Sequence, residues 1–124
     1  MIARLQCVVL DCADVLELAR FYQSLLGGVV NQPDPRWSLD DGWATLHVDG
    51  FVLAFQRVAD HQPPRWPDPA RPQQFHLDLG VRDLDRAQEA ALRRGATLLD
   101  EGDGSRGWRV LADPAGHPFC LVRD

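Results

Sequence analysis

The chain has 124 residues, 45% of them apolar, which fits a single domain with a real hydrophobic core. Thirteen Lys and Arg against eighteen Asp and Glu leave a net charge of -5, which argues against nucleic acid as a partner, because phosphate binding needs clustered cations. No apolar run reaches the roughly 18 residues of a membrane span, and the start MIARLQCVVLD enters a strand pattern without a leader organisation, so a cytoplasmic protein with no membrane partner is expected.

Three cysteines, Cys7, Cys12 and Cys120, contain no CxxC pair and predict reduced thiols rather than a disulfide framework or a zinc ribbon. After the first strand, Asp14 and Glu17 make a capping box, Leu18, Phe21, Tyr22 and Leu25 recur at helical spacing, and Gly27 supplies a left-handed stop. In WATLHVDGFVLAF, Asp49-Gly50 between two apolar runs predicts a two-residue type I′ hairpin. HQPPRWPDPARPQQ, residues 61–74, carries five prolines and predicts a linker, since proline suits neither a helix interior nor a central strand. A strand over 74–81 follows. Asp83 then caps a helix with a thinner stripe of Leu84, Ala87 and Ala91, closed by Gly95. DPAG at 113–116 puts Pro114 at the second position of a type I turn in a last hairpin.

The two halves repeat one another. CVVLDCADVLELARFYQSLLGG lies on HLDLGVRDLDRAQEAALRRGA, with Cys7 on His76 and Asp14 on Asp83; further on, Trp43 meets Trp108, Leu46 meets Leu111, Gly50 meets Gly116 and Ala54 meets Cys120. Both halves read βαβββ, an α+β pattern, with module one at 1–60, the linker at 61–74 and module two at 75–124.

Strand alternation assigns the faces. Ala44, Leu46, Val48, Phe51, Leu53 and Phe55 form an apolar face expected under the helix, while Trp43, Thr45, His47, Val52, Ala54 and Gln56 form the opposite one. The strand over 74–81 divides likewise, with Phe75, Leu77, Leu79 and Val81 toward the helix and His76 and Asp78 on the other side, the side assigned also to Trp108 and Cys120. An apolar face with a few convergent polar groups is what a ligand cleft looks like. Trp43, Thr45, His47, Gln56, Trp108 and Cys120 are therefore the candidate ligand contacts. His76, oriented by Asp78, is the candidate general base.

FHLDLGV opening the second module, DPAGHPFCLV ending it, and DCAD before a helix ending in LLGG resemble the glyoxalase-like branch of the vicinal oxygen chelate superfamily over nearly the whole chain. The resemblance implies one glyoxalase-like domain over 1–124. Its paired modules would form a curved sheet around a cavity with the helices outside, often in a homodimer. Relatives include metal-dependent lyases such as glyoxalase I, extradiol dioxygenases, fosfomycin-modifying transferases and bleomycin-sequestering proteins, so the fold leaves the activity open.

The family's metal positions read Cys7, Ala54, His76 and Cys120 here, and only His76 is a usual ligand. No metal or other cofactor is therefore predicted; a Cys7–His76–Cys120 zinc site with an open fourth position is the alternative. His76 stays open to three roles, as a structural histidine, a cavity contact or a metal ligand. The expected function is binding of a small, partly aromatic organic molecule in the cavity. The alternative is a lyase or isomerase using His76 and Asp78.

Overall fold

Strand β1 (Val8–Cys12) runs into Asp14, whose carboxylate accepts a hydrogen bond from the Glu17 amide at 3.0 Å and so starts helix α1 (Val15–Leu26). The helix stops at Gly27, whose φ of 74° is open to glycine, and Gly27 N–H closes the last turn on the Gln23 carbonyl at 2.8 Å. The computed structural model describes residues 1–37 and 40–124, and the chain divides into two units, Met1–His61 and Gln62–Asp124.

In the first unit, β2 (Val29–Val30), β3 (Trp43–Val48) and β4 (Phe51–Arg57) complete a four-stranded sheet in the order β1-β4-β3-β2, with β1 parallel to β4 and the other pairs antiparallel. The core lies between this sheet and α1. Leu18, Ala19, Phe21 and Tyr22 are buried, as are Ala44, Leu46, Leu53 and Phe55, and Tyr22 stacks on Phe55 with ring centroids 6.1 Å apart. Gly28 has φ 89°, and a Cβ there would collide with the His47 carbonyl, so only glycine lets the chain turn from α1 into β2 at this distance from β3.

The second unit repeats the plan with β5 (Leu77–Val81), α2 (Leu84–Arg93), β6 (Thr97–Asp100), β7 (Trp108–Ala112) and β8 (Pro118–Arg123), in the order β5-β8-β7-β6. Asp83 caps α2 by accepting from Arg86 N–H at 3.1 Å. The thin stripe of α2 buries only Leu84 and Ala91, and Arg109 from β7 supplements it, donating to Gln88 at 2.9 Å and pairing with Asp85 at 2.8 Å. Both units are βαβββ, as the repeat predicts, and the architecture is α+β. Among the described residues, no helix is long and apolar enough to cross a membrane.

Three details differ from expectation. The hairpin at Asp49-Gly50 has a positive φ only at Gly50 (86°), which is the sign pattern of a type II turn; type I′ would also force Asp49 into the left-handed region. Phe51, expected under the helix, sits at the hairpin end and is 48% exposed. The strand expected from residue 74 begins at Leu77, and Phe75 is 87% exposed rather than under the helix. The register explains this. Leu77 pairs with Phe119, so His76 falls opposite Pro118, which has no N–H to continue the ladder.

Candidate functional site

Side chains at 43, 45 and 47 share one face of β3, opposite Ala44, Leu46 and the helix. Asn31, at φ 53°, holds the middle of this row. Its amide donates to the Thr45 carbonyl and its side-chain oxygen accepts from Thr45 N–H, both at 2.9 Å. The Thr45 backbone is thus satisfied, but its hydroxyl is not. Trp43 Nε1, Thr45 Oγ1 and His47 Nε2 are all buried without a hydrogen-bond partner among the described residues, and Thr45 is 1% exposed.

Each such orphan costs about 1–3 kcal/mol, so three amount to roughly 3–9 kcal/mol against a whole-domain stability of about 5–15 kcal/mol. Alternate residues stand about 6.5–7 Å apart along a strand, so the row spans about 13 Å, the length of a drug-sized molecule. Trp37 meets His47 edge-on with ring centroids 5.7 Å apart, and nearby in the chain Asp34 is held at a pKa of about 2 chiefly by its hydrogen bonds with Arg36. Cross-strand partners on the same face are Gln56 beside Trp43, Ala54 beside Thr45 and Val52 beside His47. Ala54 is fully buried and Gln56 is exposed, with its backbone carbonyl facing Cys12 Sγ at 3.7 Å.

In the second unit, β5 and β8 set Asp78 directly beside Cys120. His76 precedes Asp78 by two residues, and its Nε2 lies 3.4 Å from Asp78 Oδ1, with the two side chains 43% and 62% exposed. The ligating atoms of His76, Asp78 and Cys120 all fall within 4.8 Å of one another. Burial first, and the neighbouring Asp78 carboxylate second, push the Cys120 thiol up to about 11. Such a thiol is not an activated nucleophile. Cys7 belongs to the first unit, where burial also raises its thiol.

Trp108, expected as a ligand contact, is 42% exposed, and the Arg106 guanidinium sits 3.7 Å from its ring centroid. Arg106 also donates to the Trp108 carbonyl at 2.9 Å and pairs with Asp100 at 3.0 Å, and its charge partly offsets that of Asp78 at Cys120. Sequence reasoning did not single out Arg106. His117 is a turn residue, its amide donating to the buried Asp113 carboxylate at 3.0 Å.

The family model for the glyoxalase-like domain matches residues 7–122. No curated protein matches the chain. Among solved structures, the chain is similar to the hypothetical protein SA1046 from S. aureus, with 18% identity, full coverage of both chains and a TM-score of 0.72. It is equally similar to a glyoxalase/bleomycin resistance protein/dioxygenase family enzyme from Burkholderia phytofirmans PsJN, with 19% identity, 98% coverage of each chain and a TM-score of 0.72. The fosfomycin resistance protein FosX from Listeria monocytogenes follows at 16% identity, covering 100% of this chain and 95% of its own, with a TM-score of 0.71. A variant of that FosX was solved in complex with Mn(II) and 1S,2S-dihydroxypropylphosphonic acid. At these identities the likeness establishes the fold.

Proposed function

Because the chain belongs to the glyoxalase-like family of the vicinal oxygen chelate superfamily, we propose that it binds a small, partly aromatic organic molecule along the Trp43–Thr45–His47 row. The observation that carries this reading is the line of three buried polar atoms on one sheet face that have no hydrogen-bond partner among the described residues. Their chemistry describes the ligand. Trp43 Nε1–H only donates, so the ligand presents an acceptor there; Thr45 and His47 can each donate or accept, and the indole offers a flat wall. A planar molecule about 13 Å long with a carbonyl, carboxylate or phosphonate at the Trp43 end fits that description.

The family's usual hard-oxygen metal set does not fit this chain, because Ala54 and Cys120 stand where carboxylates are usual and no step of the binding needs it. The test is titration of the intrinsic tryptophan fluorescence with aromatic carboxylates, phosphonates and aromatic cations. A saturable change for at least one class is expected, weakened up to about tenfold in Thr45→Val, the worth of one hydrogen bond. A flat response across the panel refutes the proposal.

A second reading, lyase or isomerase chemistry with His76 as base and Asp78 as its orienting carboxylate, is favoured by their 3.4 Å contact. Its signature is turnover abolished by His76→Ala and reduced by Asp78→Asn. Assembly as a homodimer belongs to the same proposal, supported by the exposed Val8 and Val9 on the edge strand β1; sedimentation equilibrium reads it directly.

A further inference from the structure

We infer that Asn31 is the positioning residue of the Trp43–Thr45–His47 row: its side-chain oxygen takes the place of a strand carbonyl opposite Thr45 and fixes the backbone from which the Thr45 hydroxyl is presented. That role rests on the binding reading of the row and adds to it a residue outside β3. Val29 pairs with His47 and Val30 with Leu46, so the next rung of the ladder puts Asn31 opposite Thr45. A hydrogen-bonded antiparallel pair exchanges two N–H to carbonyl bonds. Asn31 supplies both partners, its own amide for one and Oδ1 for the other, each bond 2.9 Å long.

Backbone conformation explains the exchange. Strand β2 ends at Val30, and Asn31, at φ 53°, lies in the left-handed region that asparagine tolerates better than most side chains. The chain leaves the ladder at this residue, and the Thr45 amide bonds the Asn31 side chain rather than its carbonyl.

The internal repeat serves as a control. In the second unit Thr97 pairs with Ala112 and Leu98 with Leu111, and the next rung sets Asp100 opposite Val110, the equivalent of Thr45, after a β-bulge between Leu98 and Asp100. Asp100 keeps a negative φ and stays within β6, and its carboxylate turns instead to Gly102 N–H and Arg106. The same rung is therefore met by strand backbone where the facing residue is a valine, and by a side chain where it carries a hydroxyl.

Fixing that rung fixes the hydroxyl. Thr45 is β-branched, so once its N–H and C=O are both held, Oγ1 has few directions in which to point. In the direction it takes, it is buried and has no hydrogen-bond partner among the described residues. Along β3 the N–H and C=O groups alternate in direction, so those of Ala44 and Leu46 face β4 while those of Thr45 face Asn31. Removing Oδ1 slackens this one rung, and the hydroxyl then settles on a nearby backbone group or water in the free protein, at the expense of the ligand.

The experiment uses the full chain with Asn31→Gly, which keeps the amide and accepts the left-handed φ but deletes the oxygen, and with Asn31→Asp, which keeps the oxygen. Amide hydrogen exchange read by NMR should show Thr45 losing protection in Asn31→Gly while Ala44 and Leu46 keep theirs. Two double-mutant cycles with Thr45→Val then separate positioning from plain stabilisation. In urea unfolding, the rise in midpoint that Thr45→Val brings to the wild type should disappear in the Asn31→Gly background. In fluorescence titration with the panel of aromatic carboxylates, phosphonates and cations, Asn31→Gly should weaken binding up to about tenfold, as Thr45→Val does, and cost nothing further when residue 45 is already valine. Asn31→Asp should restore both the protection and the affinity. A bond that only stabilises the strand predicts additive midpoints and unchanged affinity; either result, or failure of Asn31→Asp to restore them, overturns the assignment. A panel flat in the wild type refutes binding at the row and this role with it, whereas a wild type that saturates alongside an additive cycle refutes the role of Asn31 alone.

Discussion

Replacing Thr45 with valine tests whether its hydroxyl is in fact an orphan. The two side chains have nearly the same shape, so the substitution exchanges a hydroxyl for a methyl at a site 1% exposed, with the Asn31 bonds to the Thr45 backbone untouched. If the hydroxyl has no partner in the free protein, its removal relieves about 1–3 kcal/mol of desolvation cost. A chain of 124 residues at about 2.1 cal/mol/K each unfolds with an entropy near 0.26 kcal/mol/K, so each kcal/mol raises Tm by about 4 °C. Thr45→Ser is the control. It keeps the hydroxyl and deletes a methyl, and should cost about 1 kcal/mol. Urea unfolding should show Thr45→Val with a higher midpoint and an unchanged slope, and a parallel titration should show weaker ligand binding by the same variant. Most substitutions at so buried a position destabilise, so the combination of gained stability and lost affinity is specific to a ligand-facing orphan. An unchanged or lowered midpoint means the hydroxyl is engaged in the free protein and refutes the reasoning.

In metal-free protein the Cys120 thiol should titrate near its raised value of about 11, as followed by thiolate absorbance or the pH dependence of alkylation, and Asp78→Asn should lower that midpoint by removing a negative neighbour. Because the folded-state value lies above the ordinary 9.0, stability is unaffected by this group below about pH 9 and falls as pH rises toward 11, a fall that Cys120→Ala should flatten. Asp14→Ala removes the acceptor for Glu17 N–H and should cost about 1 kcal/mol in denaturant unfolding, with a similar loss for Asp83→Ala at the second helix. Arg106→Ala strips the guanidinium from the Trp108 ring, so an added tryptophan emission component at longer wavelength is expected; an unchanged spectrum would count against the stacking.

The fold was legible because its signals are local and occur twice. Asp14 and Asp83 cap, Gly27 and Gly95 stop, and the apolar period changes between helix and strand in the same order in both halves. Finer features depended on facts that one segment does not carry. The start of β5 is set by Pro118 on another strand, and the Asp49 conformation by the cost of a left-handed aspartate rather than by the Asp-Gly preference. Within the site, alternation put Trp43, Thr45 and His47 on one face and His76 and Asp78 on one face, since that is a property of a single strand. Arg106 was missed because it comes from the glycine-rich stretch 101–107, which has no periodicity from which to read a face. Its role over Trp108 is visible only in three dimensions.

The two units have kept one scaffold and divided the chemistry between them. Where the first has the hydrogen-bonding row Trp43, Thr45 and His47, equivalent positions of the second read Trp108, Val110 and Ala112, so only the indole persists. Where the second has His76, Asp78 and Cys120, the first reads Cys7, Val9 and Ala54. Each unit is polar on the strands where the other is apolar. A sheet face kept only for packing has no reason to hold three polar atoms without a partner among the described residues, which cost stability, or to set an imidazole, a carboxylate and a thiol close together. The complementary pattern follows if the two faces are kept for different contacts, the row of the first unit for hydrogen bonds to an organic ligand and the His76–Asp78 pair of the second for an imidazole oriented by a carboxylate.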